Sequence, residues 1–261
     1  MISTVSFIGS GNLATHLAKA FARAGIKVES IYSSNYNNAC RLASLVNSQP
    51  VNNIDEIAPS QLIIVSVTDS AIQQVINNLK IESFIVHTSG STSIDVLKRH
   101  KNFGVFYPFQ TFSKDVELDF SEVPVFIEAN SDFGLIALKE LALAITRNVA
   151  VLDSHQRLKL HLSAVFASNF SNHMYSIAHD ILKEANLPFD ILKHLIRETT
   201  SKALQFDDPA KGQTGPAVRN NFNILEQHKE ILAGKPLWQK IYTFVSNSIM
   251  ERETERKNGT F

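Results

Sequence analysis

The chain has 261 residues, 44% hydrophobic and 19% charged, with 25 basic and 25 acidic side chains. That length suits one large domain or two modest ones, and the composition supplies ample material for a buried core. Zero net charge and scattered basic residues argue against a nucleic-acid or anionic-membrane surface, which needs a cationic excess. Cys40 is the only cysteine, so neither an intrachain disulfide nor a cysteine-based zinc site is available. No apolar run approaches the roughly 20 residues of a membrane span. The opening residues carry no secretion pattern, which makes the cytoplasm the expected location.

In chain order, the first half alternates short β-branched runs with helical patterns, the signature of βαβ units and a parallel sheet. Strands are expected at Thr4–Ile8, Lys27–Tyr32, Gln61–Val67, Ser83–His87, Phe103–Tyr107 and Val123–Glu128, with shorter ones near Pro50–Val51 and at Asn148–Leu152. Leu13, Leu17, Ala20, Phe21 and Ala24 recur at helical spacing before Gly25. A second helix starts near Asp69 or Ser70, either of which suits an N-cap. Composition shifts near Ser154. Beyond it only helical patterns occur, about Ser154–Ala185, Phe189–Ala203, Ala217–Glu226 and Leu237–Glu255. The expected organisation is an α/β domain over residues 1–153 and an all-α domain over residues 154–261.

Gly9-Ser10-Gly11-Asn12-Leu13-Ala14 is a G-x-G-x-x-A turn between the first strand and the first helix, the context of a Rossmann-type dinucleotide site. Gly9 permits the tight turn, Gly11 leaves room for the pyrophosphate, and the helix N-terminus offers free N–H groups to it. Where NAD sites place an acid, about 20 residues further on, this chain reads Ser33-Ser34-Asn35. Neutral side chains tolerate a 2′-phosphate, so NADP is favoured, with NAD possible.

Ligands of open parallel sheets sit beyond the carboxyl ends of the strands. Val67, Thr68 and Asp69 stand there, suited to the nicotinamide ribose, although Asp69 serves equally as a helix cap. His87 is either a polar substrate contact or structural; Ser89, Gln110 and Thr111 are neutral groups that would orient a polar substrate. On the long helix, His161, Val165, Asn169 and His173 fall four apart, on a face whose Leu158, Leu162, Phe166 and Phe170 imply burial. His161 is then a general acid and Asn169 a substrate holder, or the two form a structural pair. No third ligand accompanies the histidines, so no metal is expected. Arg219 suits a substrate carboxylate, and equally a surface or dimer-interface position.

Together these segments resemble the family that joins a Rossmann-like domain to the C-terminal domain of unknown function DUF2520. The matching pieces are Gly9 to Ala14, Val67 to Ile72, His87 to Gly90, Pro108 to Phe112, His161 to Asn169 and Gly215 to Arg219. The resemblance implies an NADP-dependent oxidoreductase related to pyrroline-5-carboxylate reductase, ketopantoate reductase and the deazaflavin-dependent NADP reductases. It also implies a helical domain that closes the active site and forms a homodimer. Two positions depart from the family pattern: Tyr107 stands where histidine is usual, and Asn220-Asn221 where Gly-Asp is. Against ketopantoate reductases, His161 replaces the lysine and Val165 the first asparagine, which argues against that chemistry. The expected activity is reduction of a small polar carbonyl or imine; the alternative is a non-catalytic NADP(H)-binding sensor or scaffold.

Overall fold

A computed structural model describes residues 1–113, 116 and 118–259. By contacts the chain divides into two units, Met1–Asn169 and the helices from Phe170 onward.

In the first unit, the β-branched runs form eight strands. They are β1 (Thr4–Ile8), β2 (Lys27–Tyr32), β3 (Gln49–Val51), β4 (Leu62–Val65), β5 (Phe84–His87), β6 (Phe103–Pro108), β7 (Val125–Ala129) and β8 (Val149–Val151). Their order across the sheet is β3-β2-β1-β4-β5-β6-β7-β8. Every neighbouring pair is parallel except β6 and β7. Chain order reverses between β1 and β4, the switch point at which such sheets open a crevice. Val5, Phe7, Leu62 and Ile64 pack one face against α1 (Asn12–Arg23), α2 (Tyr36–Val46) and α4 (Asp132–Leu143). Ile8, Ile63, Val65 and Ile85 pack the other against Ile72 and Ile76 of α3 (Asp69–Asn78). Strands buried on both faces explain why these runs are apolar without alternation.

The α3 cap is a correction. Thr68 takes the N-cap position without a side-chain bond, and Asp69 opens the helix. Asp69 instead accepts a 2.5 Å hydrogen bond from the Ser91 hydroxyl, tying the loop after β4 to the turn after β5.

The antiparallel β6–β7 pair sets the direction of the chain beyond it. β7 starts beside the end of β6, at Val125 opposite Pro108, and β8 runs parallel to β7. The chain therefore leaves β8 at the sheet end away from the crevice, and α5 (Ser154–Ala164) climbs back. Asp153 starts α5 with a capping box, its carboxylate accepting from the Gln156 N–H at 2.7 Å while Gln156 accepts from the Asp153 N–H at 3.0 Å. Arg157 then anchors the helix. Only 1% exposed, it pairs with Glu128 on β7 and donates to the Thr92 carbonyl at 2.5 Å and to Ser154 Oγ at 3.2 Å. Ser154 Oγ in turn donates to Glu128 at 2.9 Å.

The expected single helix over 154–185 is interrupted. Val165–Phe170 is π-helical, between α5 and α6 (Ser171–Glu184). Its i→i+5 turns break the four-residue ribbon that placed Asn169 and His173 under His161. The inferred burial of that face is also corrected: Leu158, Leu162, Phe166 and Phe170 are 46%, 55%, 63% and 48% exposed. Periodicity shows which side of a helix is hydrophobic but not how far the chain buries it.

The second unit continues with α7 (Asp190–Gln205), α8 (Phe222–Ile231) and α9 (Pro236–Lys257), with no strand among the described residues. The helix expected from Ala217 begins only at Phe222, because the stretch before it is a turn with Asn220 at φ 51°. Asn221 caps α8 by accepting from the Ile224 N–H at 3.4 Å. Among the described helices, none is long and apolar enough to cross a membrane.

Candidate active site

A cavity of about 840 Å³ opens along the carboxyl ends of β1, β2, β4, β5 and β6. It runs from Ser33, Ser34 and Asn38, past the Gly9–Leu13 turn, along Ser66–Asp69 and Thr88–Gly90, to Tyr107, Gln110 and His161. Its size suits a cofactor-scale ligand.

At one end, Gly9 has φ 115°, and an added Cβ would overlap the Ser66 backbone carbonyl. The residue there must be glycine on both counts. An added Cβ on Gly11 would meet nothing within 4 Å, so its backbone faces open space. Gly11 is also the N-cap of α1 and makes no side-chain cap bond, which leaves the first helical N–H groups free for an anion. Ala14, fully buried, lets α1 close onto the sheet. Around this turn, Ser10 Oγ donates to Ser33 Oγ at 2.8 Å and Asn12 donates to the Phe112 carbonyl at 2.8 Å, so both side chains brace the loop. Among the described lining residues there is no lysine or arginine.

Ser33, Ser34, Val67, Thr68 and Asp69 line the cavity as the strand ends suggested. Asn35 does not; it caps α2 by accepting from the Asn38 N–H at 3.4 Å, and Asn38 lines the cavity in its place. At β5, His87 is fully buried and outside the lining, so its reading as a substrate contact is corrected to a structural one. Its Nδ1 accepts from the Ser89 N–H at 3.2 Å, and burial, with the nearby Arg157 guanidinium, pushes its pKa down to about 4. Ser89 reaches the cavity, but its hydroxyl also accepts from the Ser91 and Thr92 N–H groups at 3.1 and 2.9 Å, shaping the turn.

At the other end, Tyr107 Oη lies 3.0 Å from His161 Nδ1, and both side chains line the cavity. Strand register and helical rise account for the meeting. His87, Val105 and Glu128 lie side by side across β5, β6 and β7, and Arg157 holds α5 at that level. Four helical residues beyond Arg157 rise about 6 Å. Two strand residues beyond Val105 rise about 6.6 Å. His161 therefore arrives at Tyr107. Burial raises the phenol pKa to about 12, so the hydroxyl keeps its proton near neutral pH. Gly90 makes the contact possible: an added Cβ would lie 2.6 Å from His161 Nδ1 and 2.7 Å from Tyr107 Oη.

Gln110 lines the cavity beside Pro108, its Oε1 accepting from the Thr111 N–H at 2.8 Å. Thr111 itself is exposed and outside the lining. Asn169 is exposed in the π-helical stretch and outside the lining too. Arg219 is exposed in the turn before α8, within the second unit. The sequence reading named neither Tyr107 nor Gly90 as a site residue. The signals were an aromatic hydroxyl ending one strand and a glycine three residues past the end of its neighbour.

A glycine turn over a cleft at the ends of a mostly parallel sheet, followed by a helical domain, defines an oxidoreductase-type fold related to NADP-binding reductases. The Rossmann-like domain matches residues 2–107, and the domain of unknown function DUF2520 matches residues 123–249. A Bacteroides fragilis chain, crystallised as a candidate NADP oxidoreductase, is 41% identical over 96% of this chain and 98% of its own, with a TM-score of 0.89. The chain belongs to this Rossmann-like and DUF2520 family. A Thermotoga maritima protein is 21% identical, covering 95% of this chain and 99% of its own, with a TM-score of 0.77. A reductive aminase from Aspergillus terreus, solved with NADPH and ethyl-5-oxohexanoate, is 12% identical over 98% of this chain and 95% of its own, with a TM-score of 0.73. These last two share the fold. No curated protein matches the sequence.

Proposed function

We propose that the chain is an NADP-dependent oxidoreductase that reduces a small polar carbonyl or imine. One observation carries the reading: a single cavity joins a glycine turn fit for a pyrophosphate to a Tyr107–His161 pair fit for proton transfer. The backbone of Gly9, Ser10, Gly11, Asn12 and Leu13 would hold the pyrophosphate. Ser33 and Ser34 would face the adenosine ribose, where an acid would repel a 2′-phosphate. Val67, Thr68 and Asp69 would flank the nicotinamide ribose. A bound dihydronicotinamide supplies a hydride, and the protein supplies orientation and a proton. His161 is the proton source, its Nδ1 3.0 Å from the Tyr107 hydroxyl. Ser89 and Gln110, which line the cavity, orient the substrate. A homodimer through the helical domain is part of the same reading. Exposed Ile191, Leu195, Leu237 and Phe244 support it, since helices hydrophobic on an uncovered face call for a partner.

Calorimetric titration tests the cofactor half. NADPH is expected to bind more tightly than NADH, and Gly9→Ala to abolish binding of both; equal affinity or a preference for NADH would refute the role of Ser33 and Ser34. Turnover of NADPH with a panel of 2-oxo acids and cyclic imines tests the other half. Activity on at least one, lost in His161→Ala, is expected. Tight binding without turnover would favour the sensor or scaffold reading, which the position of Asn169 outside the cavity lining also favours.

A further inference from the structure

We infer that Tyr107, rather than His161, is the group that hands the proton to the substrate, with His161 recharging it across their contact and Gly90 keeping the two together. This rests on the reductase reading above and assigns the acid within it. Three observations converge. Tyr107 Oη and His161 Nδ1 are 3.0 Å apart, and both residues line the cavity. Gly90, also in the lining, leaves a space in which an added Cβ would lie 2.6 to 2.8 Å from the His161 ring and the Tyr107 hydroxyl. Arg157, buried one helical turn before His161, fixes the imidazole at this height through Glu128 and Thr92.

Burial makes the phenol a poor acid on its own, because its phenolate would be left without water. An imidazolium in contact with it removes the difficulty. The substrate carbon gains a hydride and the two electrons it carries, and the C=O or C=N bond becomes single. The heteroatom takes the Tyr107 proton, and Tyr107 Oη takes the proton of His161 Nδ1 in the same motion. No phenolate forms. The imidazole ends neutral, with its remaining proton on Nε2, and a bound dihydronicotinamide would supply the hydride and its electrons. Cleft water returns the lost proton through the phenol once product leaves.

The relay makes a claim about the resting protein: in neutral His161 the proton sits on Nε2, and Nδ1 accepts from the Tyr107 hydroxyl. Nitrogen NMR of selectively labelled histidine reads this without any substrate. The Nε2–H tautomer is expected, with the Nδ1 resonance moving in Tyr107→Phe and in Gly90→Ala. A neutral ring protonated on Nδ1 would overturn the relay. The kinetic arm compares a 2-oxo acid, which must gain a proton, with an N-methylpyrrolinium salt, which needs only a hydride. Tyr107→Phe and Gly90→Ala are expected to lose about a hundredfold or more in kcat on the oxo acid, the scale of general acid catalysis. On the pyrrolinium salt the loss should stay under tenfold, and NADPH affinity should be retained. Equal losses on both substrates, or none on the oxo acid, would overturn the relay and leave the reductase reading standing. Wild-type protein that binds NADPH but reduces neither compound, nor any of the panel, would overturn both.

Discussion

The two units meet the demands of folding unequally. In the first, both faces of the sheet are covered, and side chains such as Phe7, Leu17, Phe21, Ile64 and Phe106 are completely buried. From Phe170 onward, Ala217, Leu225 and Leu232 are the only buried hydrophobic residues among those described, while Leu195, Leu204, Ile231 and Phe244 are 59%, 83%, 75% and 77% exposed. The first unit therefore carries its own driving force, whereas the second presents apolar surface whose burial must come from another surface. In a protein with net stability of only about 5–15 kcal/mol, that asymmetry decides which part stands alone.

Separating the units is the severest test of this contrast. Residues 1–169 are expected to unfold cooperatively at a midpoint independent of protein concentration. Residues 170–261 alone should show helical circular dichroism that grows with concentration, as self-association covers the apolar faces. Concentration-independent helicity in the isolated helical piece would abolish the distinction. A smaller effect is expected at the helix that the sheet holds. Arg157→Leu leaves Glu128 unpaired and should cost about 3–5 kcal/mol in denaturant unfolding, while Arg157→Leu with Glu128→Leu should recover much of the loss. The smallest effect depends on pH. Burial holds the His87 pKa at about 4 rather than 6.5. Between those values the unfolded chain binds a proton that the folded chain does not. The contribution of His87 is thus complete above about pH 6.5 and is lost as pH falls towards 4, by roughly 3 kcal/mol in all. His87→Leu should flatten thermal stability over that interval, relative to wild type; an unchanged slope would count against a buried neutral imidazole.

Much of the sheet was legible because a parallel strand buried on both sides must be a short, continuous β-branched run, and Leu62–Val65 and Phe84–His87 are that. The glycine turn was legible for a related reason: Gly9 has a steric requirement that no other residue meets. The site's far end was less so. Its contacts join residues distant in the chain, Tyr107 to His161 and Arg157 to Thr92 and Glu128, and depend on β7 running antiparallel to β6. Strand direction leaves no mark in a five-residue apolar segment. The apolar positions of α5 misled for another reason. Periodicity shows which side of a helix is hydrophobic, and is silent on whether the same chain covers it. The π-helical stretch likewise escaped a reading that assumed four-residue spacing throughout.

The cation-free lining has one more consequence. Donors supplied by the main chain belong to every residue but proline, so replacing Ser10, Asn12 or Leu13 by any other residue changes the bracing of the loop but keeps the N–H groups. The proposed phosphate cradle is thus tolerant of side-chain drift along most of its length. Its fragility is concentrated at Gly9, where a single methyl group would redirect the path of the chain.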